Sequence, residues 1–97
     1  MGLAVTIPLT LPEPSYAEIA ARLAASGEAP KVKMIDGLPA FPDEVPEDGW
    51  RELRLGFSAG MVTIRRSASA WECTVWGTAD PELLNARDRV AAAFAGN

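Results

Sequence analysis

Apolar and polar positions alternate most cleanly at the start of the chain. Leu3, Val5, Ile7, Leu9 and Leu11 fall on one side; Ala4, Thr6, Pro8 and Thr10 fall on the other. A period of two predicts a half-buried strand. Pro8 has no N–H to give to a ladder, so the strand belongs at a sheet edge or pairs only along its first half.

The period then changes. Ser15-Tyr16-Ala17-Glu18 has the form of a capping box. Tyr16, Ile19, Ala20 and Leu23 recur on one helical face, Glu18 and Arg22 stand four apart, and Gly27 offers a stop. This predicts a helix over 16–26. Lys31-Val32-Lys33-Met34-Ile35 reads as a short strand whose lysines share one side, and Asp36-Gly37 as a turn that can close a hairpin. Residues 39–49 hold Pro39, Pro42, Pro46 and Gly49 among acids, the composition of an irregular exposed loop.

Three further alternating runs predict a meander. Leu53, Leu55 and Phe57 mark the inner side of the first run. Val62 and Ile64 mark that of the second, and Trp71, Cys73 and Val75 that of the third. Asp80-Pro81 supplies an N-cap and a first-turn proline for a final helix striped by Leu83, Ala86, Val90 and Phe94. The order is β-α-β-(β)-β-β-β-α. It predicts an α+β two-layer sandwich: a mostly antiparallel four- to five-stranded sheet with two helices on one face.

Over residues 15–95 this order resembles that of a double-stranded-RNA-binding domain. The second helix, however, opens Asp80-Pro81-Glu82, which repels phosphate. The whole order is also similar to that of the half-domain of TATA-binding proteins. No motif accompanies either likeness, so neither implies a function.

Composition bounds the chemistry. The chain has 97 residues and is 48% hydrophobic, enough for one core and one domain over 1–97. It carries 9 basic and 13 acidic residues, net −4, no histidine and one cysteine. Without histidine there is no imidazole base, ligand or pH switch. One cysteine makes neither an internal disulfide nor a thiolate zinc site, and it suits a cytoplasmic setting. The negative balance opposes nucleic-acid binding. No apolar run is long enough to span a membrane. The opening Met1-Gly2-Leu3-Ala4-Val5-Thr6 fits a myristoylation pattern but reads as strand.

The candidate chemistry is thin. Gly56-Phe57-Ser58-Ala59-Gly60 matches the nucleophile elbow G-x-S-x-G, yet no histidine can serve as base and strand follows where a helix is required. It reads as a glycine-flanked hairpin turn. Asp43-Glu44-Val45-Pro46-Glu47-Asp48 lacks calcium-loop spacing and reads as a solvated loop. No two acids are placed across a cleft for glycosidic chemistry. Neither lysine-serine pairing nor an activated Cys73 is indicated. No catalytic residue, metal or cofactor is expected.

One surface remains. Parity sets Trp50, Glu52 and Arg54 opposite Leu53 and Leu55, sets Met61, Thr63 and Arg65 opposite Val62 and Ile64, and sets Glu72, Thr74 and Trp76 opposite Cys73 and Val75. If the helices cover the Leu/Val side, Trp50, Arg54, Met61, Arg65 and Trp76 share an open face of the kind that meets partners. The expectation is a soluble, acidic, non-enzymatic interaction domain. Its partner is another copy of itself or another protein, with no nucleic acid, membrane or metal involved. Two alternatives concern loop 36–49. It can fold over this face with Leu38, Phe41 and Val45, or it can form with the sheet a small-molecule pocket lined by Phe41, Trp50 and Trp76.

Overall fold

The computed structural model describes residues 2–9, 13–42, 44–77 and 80–96. Thr10, Leu11 and Asp43, on which expectations also fell, lie outside the described residues. The chain runs β1 (Gly2–Pro8), α1 (Tyr16–Ala25), β2 (Lys31–Ile35), β3 (Leu38–Pro39), β4 (Glu52–Phe57), β5 (Gly60–Arg66), β6 (Ala70–Trp76), α2 (Pro81–Phe94). The strands form one sheet in the order β1-β6-β5-β4-β2-β3, every neighbouring pair antiparallel. This is the predicted α+β class. The sheet has six strands rather than four or five, because Leu38–Pro39 pairs with Met34 and Ile35.

Local chemistry explains the helix starts. The Ser15 hydroxyl accepts from the Glu18 N–H at 3.3 Å. The other half of the capping box is replaced by an ion pair, since the Glu18 carboxylate lies 3.6 Å from Arg22. The Asp80 carboxylate accepts from the Glu82 N–H at 2.9 Å, with Pro81 in the first turn.

The core lies between the sheet and the helices. Leu53, Leu55, Val62, Ile64, Cys73 and Val75 are buried on the sheet side; Ile19, Leu23, Val90 and Phe94 meet them from the helices. These are the inward positions that parity assigned. Among the described residues, no helix is long and apolar enough to cross a membrane.

One joint was not visible in the pattern. The pairing of β2 with β4 shifts between Val32 and Met34, a bulge. Lys31 is opposite Gly56 and Met34 opposite Arg54, while Val32 and Ile35 are opposite Leu55 and Leu53. Met34 therefore joins the lysines on the outer face. The Asp36-Gly37 turn closes the predicted hairpin, between β2 and β3. Asp36 (φ 50°) and Gly37 (φ 83°) both take left-handed conformations, as a tight hairpin needs. The Asp36 carboxylate accepts from the Arg51 N–H at 2.7 Å and the Glu52 N–H at 3.0 Å, which pins the start of β4 to this turn.

Candidate functional site

Among the described residues, the sheet face away from the helices carries large apolar side chains that stay exposed. Leu38, Phe41 and Val45, the loop residues that could have covered it, are themselves exposed. Trp76 retains 55% of its surface and Met61 46%. β5 and β6 set Thr63 opposite Thr74, and continuing that register by two residues sets Met61 opposite Trp76. The two large apolar side chains therefore occupy neighbouring positions at one end of the face.

Trp50 is a correction. It does not share this face; it is 6% exposed and lies in the core on the helix side. Its ring centroid is 5.0 Å from that of Trp71 and 6.0 Å from that of Phe94. Parity failed because β4 begins only at Glu52, and Gly49 turns the chain beforehand with φ 94°. Of the three residues expected to line a small-molecule pocket, Phe41 and Trp76 are exposed and Trp50 is buried on the helix side.

Charge crosses the face as a ladder. Arg65 is opposite Glu52 on one side and Glu72 on the other. Its Nε donates to the Glu52 carboxylate at 2.8 Å, and the Arg54 Nε lies 3.8 Å from the same group. The predicted arginines are thus present on the face, but Glu52 already lies between them. Next to this row, Thr63 and Thr74 are buried, so the middle of the face is closely packed.

Sequence reasoning missed the lysines as part of this surface. Lys31 and Lys33 line a cleft of about 520 Å³ together with Gly56, Phe57, Ser58 and Met61. Neither lysine has a carboxylate within 4.0 Å among the described residues, whereas Glu28 in the same cleft is paired with Arg89. The lack of a side chain at Gly56 makes room here: a Cβ there would stand 2.8 Å from the Lys33 Cε. The signal was available in the shared parity of Lys31 and Lys33, but the strand order that puts them beside Met61 was not.

The remaining candidates carry little chemistry. Ser58 lies in the connection between Phe57 and Gly60, which are cross-strand partners, so G-x-S-x-G is a hairpin turn. Cys73 is buried, and burial pushes its thiol up to about 12. Among the described residues, no three acidic, cysteine or histidine side chains group to hold a metal. A smaller cleft of about 170 Å³ is lined by Glu13, Asp48, Trp50 and Trp71, with Arg66 holding Glu13 and lying 5.9 Å over the Trp71 ring. The Trp71 indole N–H finds no acceptor among the described residues.

Comparison with protein-family models, curated proteins and solved structures finds no match to this chain.

Proposed function

We propose that this chain is a small non-enzymatic interaction domain. Its outer sheet face holds a segment of a partner protein that combines apolar side chains with carboxylates. The observation that carries this reading is one row on the outer face: exposed Trp76 is opposite exposed Met61, and Met61 shares a cleft with Lys31 and Lys33. Exposed Trp and Met gain most when a partner removes them from water. Two ammonium groups that have no carboxylate within 4.0 Å among the described residues select a partner that brings one. Arg54 and Arg65 add less, because Glu52 already neutralises them.

The non-enzymatic part rests on a poverty of reactive groups. There is no histidine, Ser58 sits in a turn, and the Cys73 thiol is buried and raised to about 12. A single buried thiol also fits a reducing, cytoplasmic setting.

The test is a selection of displayed random peptides on the immobilised chain, with Trp76→Ala as the counter-selection. The expected winners carry Asp or Glu beside an apolar anchor. As synthetic peptides they should bind at least tenfold more weakly to Trp76→Ala and to a Lys31→Glu, Lys33→Glu double variant. No enrichment, or winners that bind all three proteins alike, would overturn the reading.

A further inference from the structure

The two edges of the sheet are built differently. One ends in β3, a two-residue strand containing Pro39 that pairs with Met34 and Ile35; the Ala40 N–H after it donates to the Lys33 carbonyl at 3.0 Å, and β2 carries Lys31 and Lys33 along this edge. Short strands, proline and lysine are the usual guards against edge-to-edge pairing. The other edge is β1, seven residues long, Gly-Leu-Ala-Val-Thr-Ile-Pro, without a charge and with proline only at its end.

One contact fixes the hydrogen-bond phase of β1. The Leu9 N–H donates to the Ser69 carbonyl at 3.0 Å. Pro8 is opposite Ala70 and Ile7 opposite Trp71, so Leu9 opposite Ser69 continues the same register. In an antiparallel ladder, hydrogen-bonded and non-hydrogen-bonded pairs alternate. Leu3, Val5, Ile7 and Leu9 therefore spend their N–H and C=O groups on β6. Gly2, Ala4 and Thr6 aim theirs outward, and Pro8 aims only a carbonyl outward. The missing N–H of Pro8 costs the β1–β6 ladder nothing. Among the described residues, β6 is the one strand that pairs with β1.

We infer that β1 pairs antiparallel with β1 of a second copy about a two-fold axis at Val5, joining the two sheets into one. A second copy suits this edge because the pattern is self-complementary. Centring the axis on Val5, the midpoint of Gly2–Pro8, sets Ala4 opposite the partner's Thr6 and Gly2 opposite the partner's Pro8. Ala4 and Thr6 then each donate to and accept from the residue across. The Gly2 N–H donates to the one outward group that the partner's Pro8 has, its carbonyl. No charged side chain stands on either strand to oppose the approach. This inference does not rest on the sheet-face reading above, and the two surfaces are separable by mutation.

Thr6→Pro tests it. Position 6 is opposite Glu72 in a non-hydrogen-bonded pair, so proline there removes an outward donor and leaves the β1–β6 ladder its bonds. Thr6→Lys is the second variant, placing lysines near the axis from both copies. Sedimentation equilibrium on the full chain should give twice 10.3 kDa for the parent. Each variant, with unchanged circular dichroism, should raise the dimer dissociation constant at least tenfold, and Thr6→Lys should recover partly at high salt. A parent that stays monomeric up to about 1 mM overturns the inference. So does a dimer that survives a folded Thr6 variant. A dimer broken by Trp76→Ala but not by either Thr6 variant overturns it too, and moves self-association to the sheet face. If instead the Thr6 variants dissociate the dimer while peptide selection fails, the edge stands and the sheet-face reading falls.

Discussion

Trp50 packs against Trp71 with ring centroids 5.0 Å apart and planes tilted by 34°. Phe94, at the end of α2, completes the cluster at 4.9 Å from Trp71 and 6.0 Å from Trp50. The cluster ties the segment before β4, strand β6 and the last turn of α2 into one contact. Trp50 thus contributes to stability, whereas Trp76, with 55% of its surface open, does not hold the fold together. Trp50→Ala should lower unfolding free energy by about 3–5 kcal/mol, the usual cost of truncating a buried large aromatic. Trp76→Ala should stay within about 0.5 kcal/mol, as exposed substitutions do. Urea unfolding followed by circular dichroism measures both, and comparable losses in the two variants would contradict the division between core and open face.

Asp36 gives stability a dependence on acid. Its carboxyl is held below its ordinary value by the Arg51 N–H first and the Glu52 N–H second, with burial working weakly the other way. A carboxyl whose folded pKa is lowered contributes stability that is present above the unfolded pKa, ordinarily near 3.8 here, and is lost as pH falls through the lowered folded value. Asp36→Asn keeps the shape and tolerates the left-handed φ of 50°, but removes the charge. The parent should therefore exceed Asp36→Asn in urea midpoint at about pH 7, and the gap should narrow steadily below about pH 4. A gap that stays constant to about pH 2 would mean that shape, not charge, supplies the contribution.

Gly56 and Gly60 flank Ser58 but answer to different constraints. Gly60 has φ 145°, and a Cβ there would meet the Leu83 side chain at 3.2 Å. Gly56 has no such backbone requirement, and a Cβ there would meet the flexible Lys33 side chain, 2.8 Å from its Cε and 3.2 Å from its Cγ. Gly60→Ala should cost about 1–3 kcal/mol through strain and crowding. Gly56→Ala should cost less than half of that, and Ser58→Ala should lie within about 0.5 kcal/mol. Thermal unfolding of the three variants checks the order. A large loss in Ser58→Ala alone would show that the serine does more than turn the chain.

What could be read in the sequence was what is local. The alternation of Leu3, Val5 and Ile7, the caps at Ser15 and Asp80, and the inward Leu53, Val62 and Cys73 each depend on neighbours a few residues away. What could not be read depends on partners far along the chain. Trp50 left the expected face because counting by twos needs an unbroken strand, and Gly49 breaks it. Met34 changed face because β2 bulges against β4, a shift set by the partner strand rather than by the run Lys31–Ile35 itself. Met61, Arg54, Arg65 and Trp76 kept the expected face because each lies within a regular strand.

The three tryptophans give that distinction an optical readout. Trp50 and Trp71 are buried, and Trp76 is open on the outer face. Iodide, a charged quencher, reaches only indoles in contact with solvent. Quenching of the folded parent should therefore be biphasic, with one accessible and one protected fraction. In Trp76→Phe the accessible fraction should vanish and the remaining emission should lie to the blue, as suits indoles removed from water. The same experiment reads occupancy of the face: a saturating selected peptide should protect Trp76 and convert the parent to the protected behaviour. Pairing through β1 should leave Trp76 open, because the edge presents backbone groups rather than the outer face. Accessible emission that survives Trp76→Phe would place Trp50 or Trp71 in solvent and undo the aromatic cluster on which the packing of β6 against α2 depends.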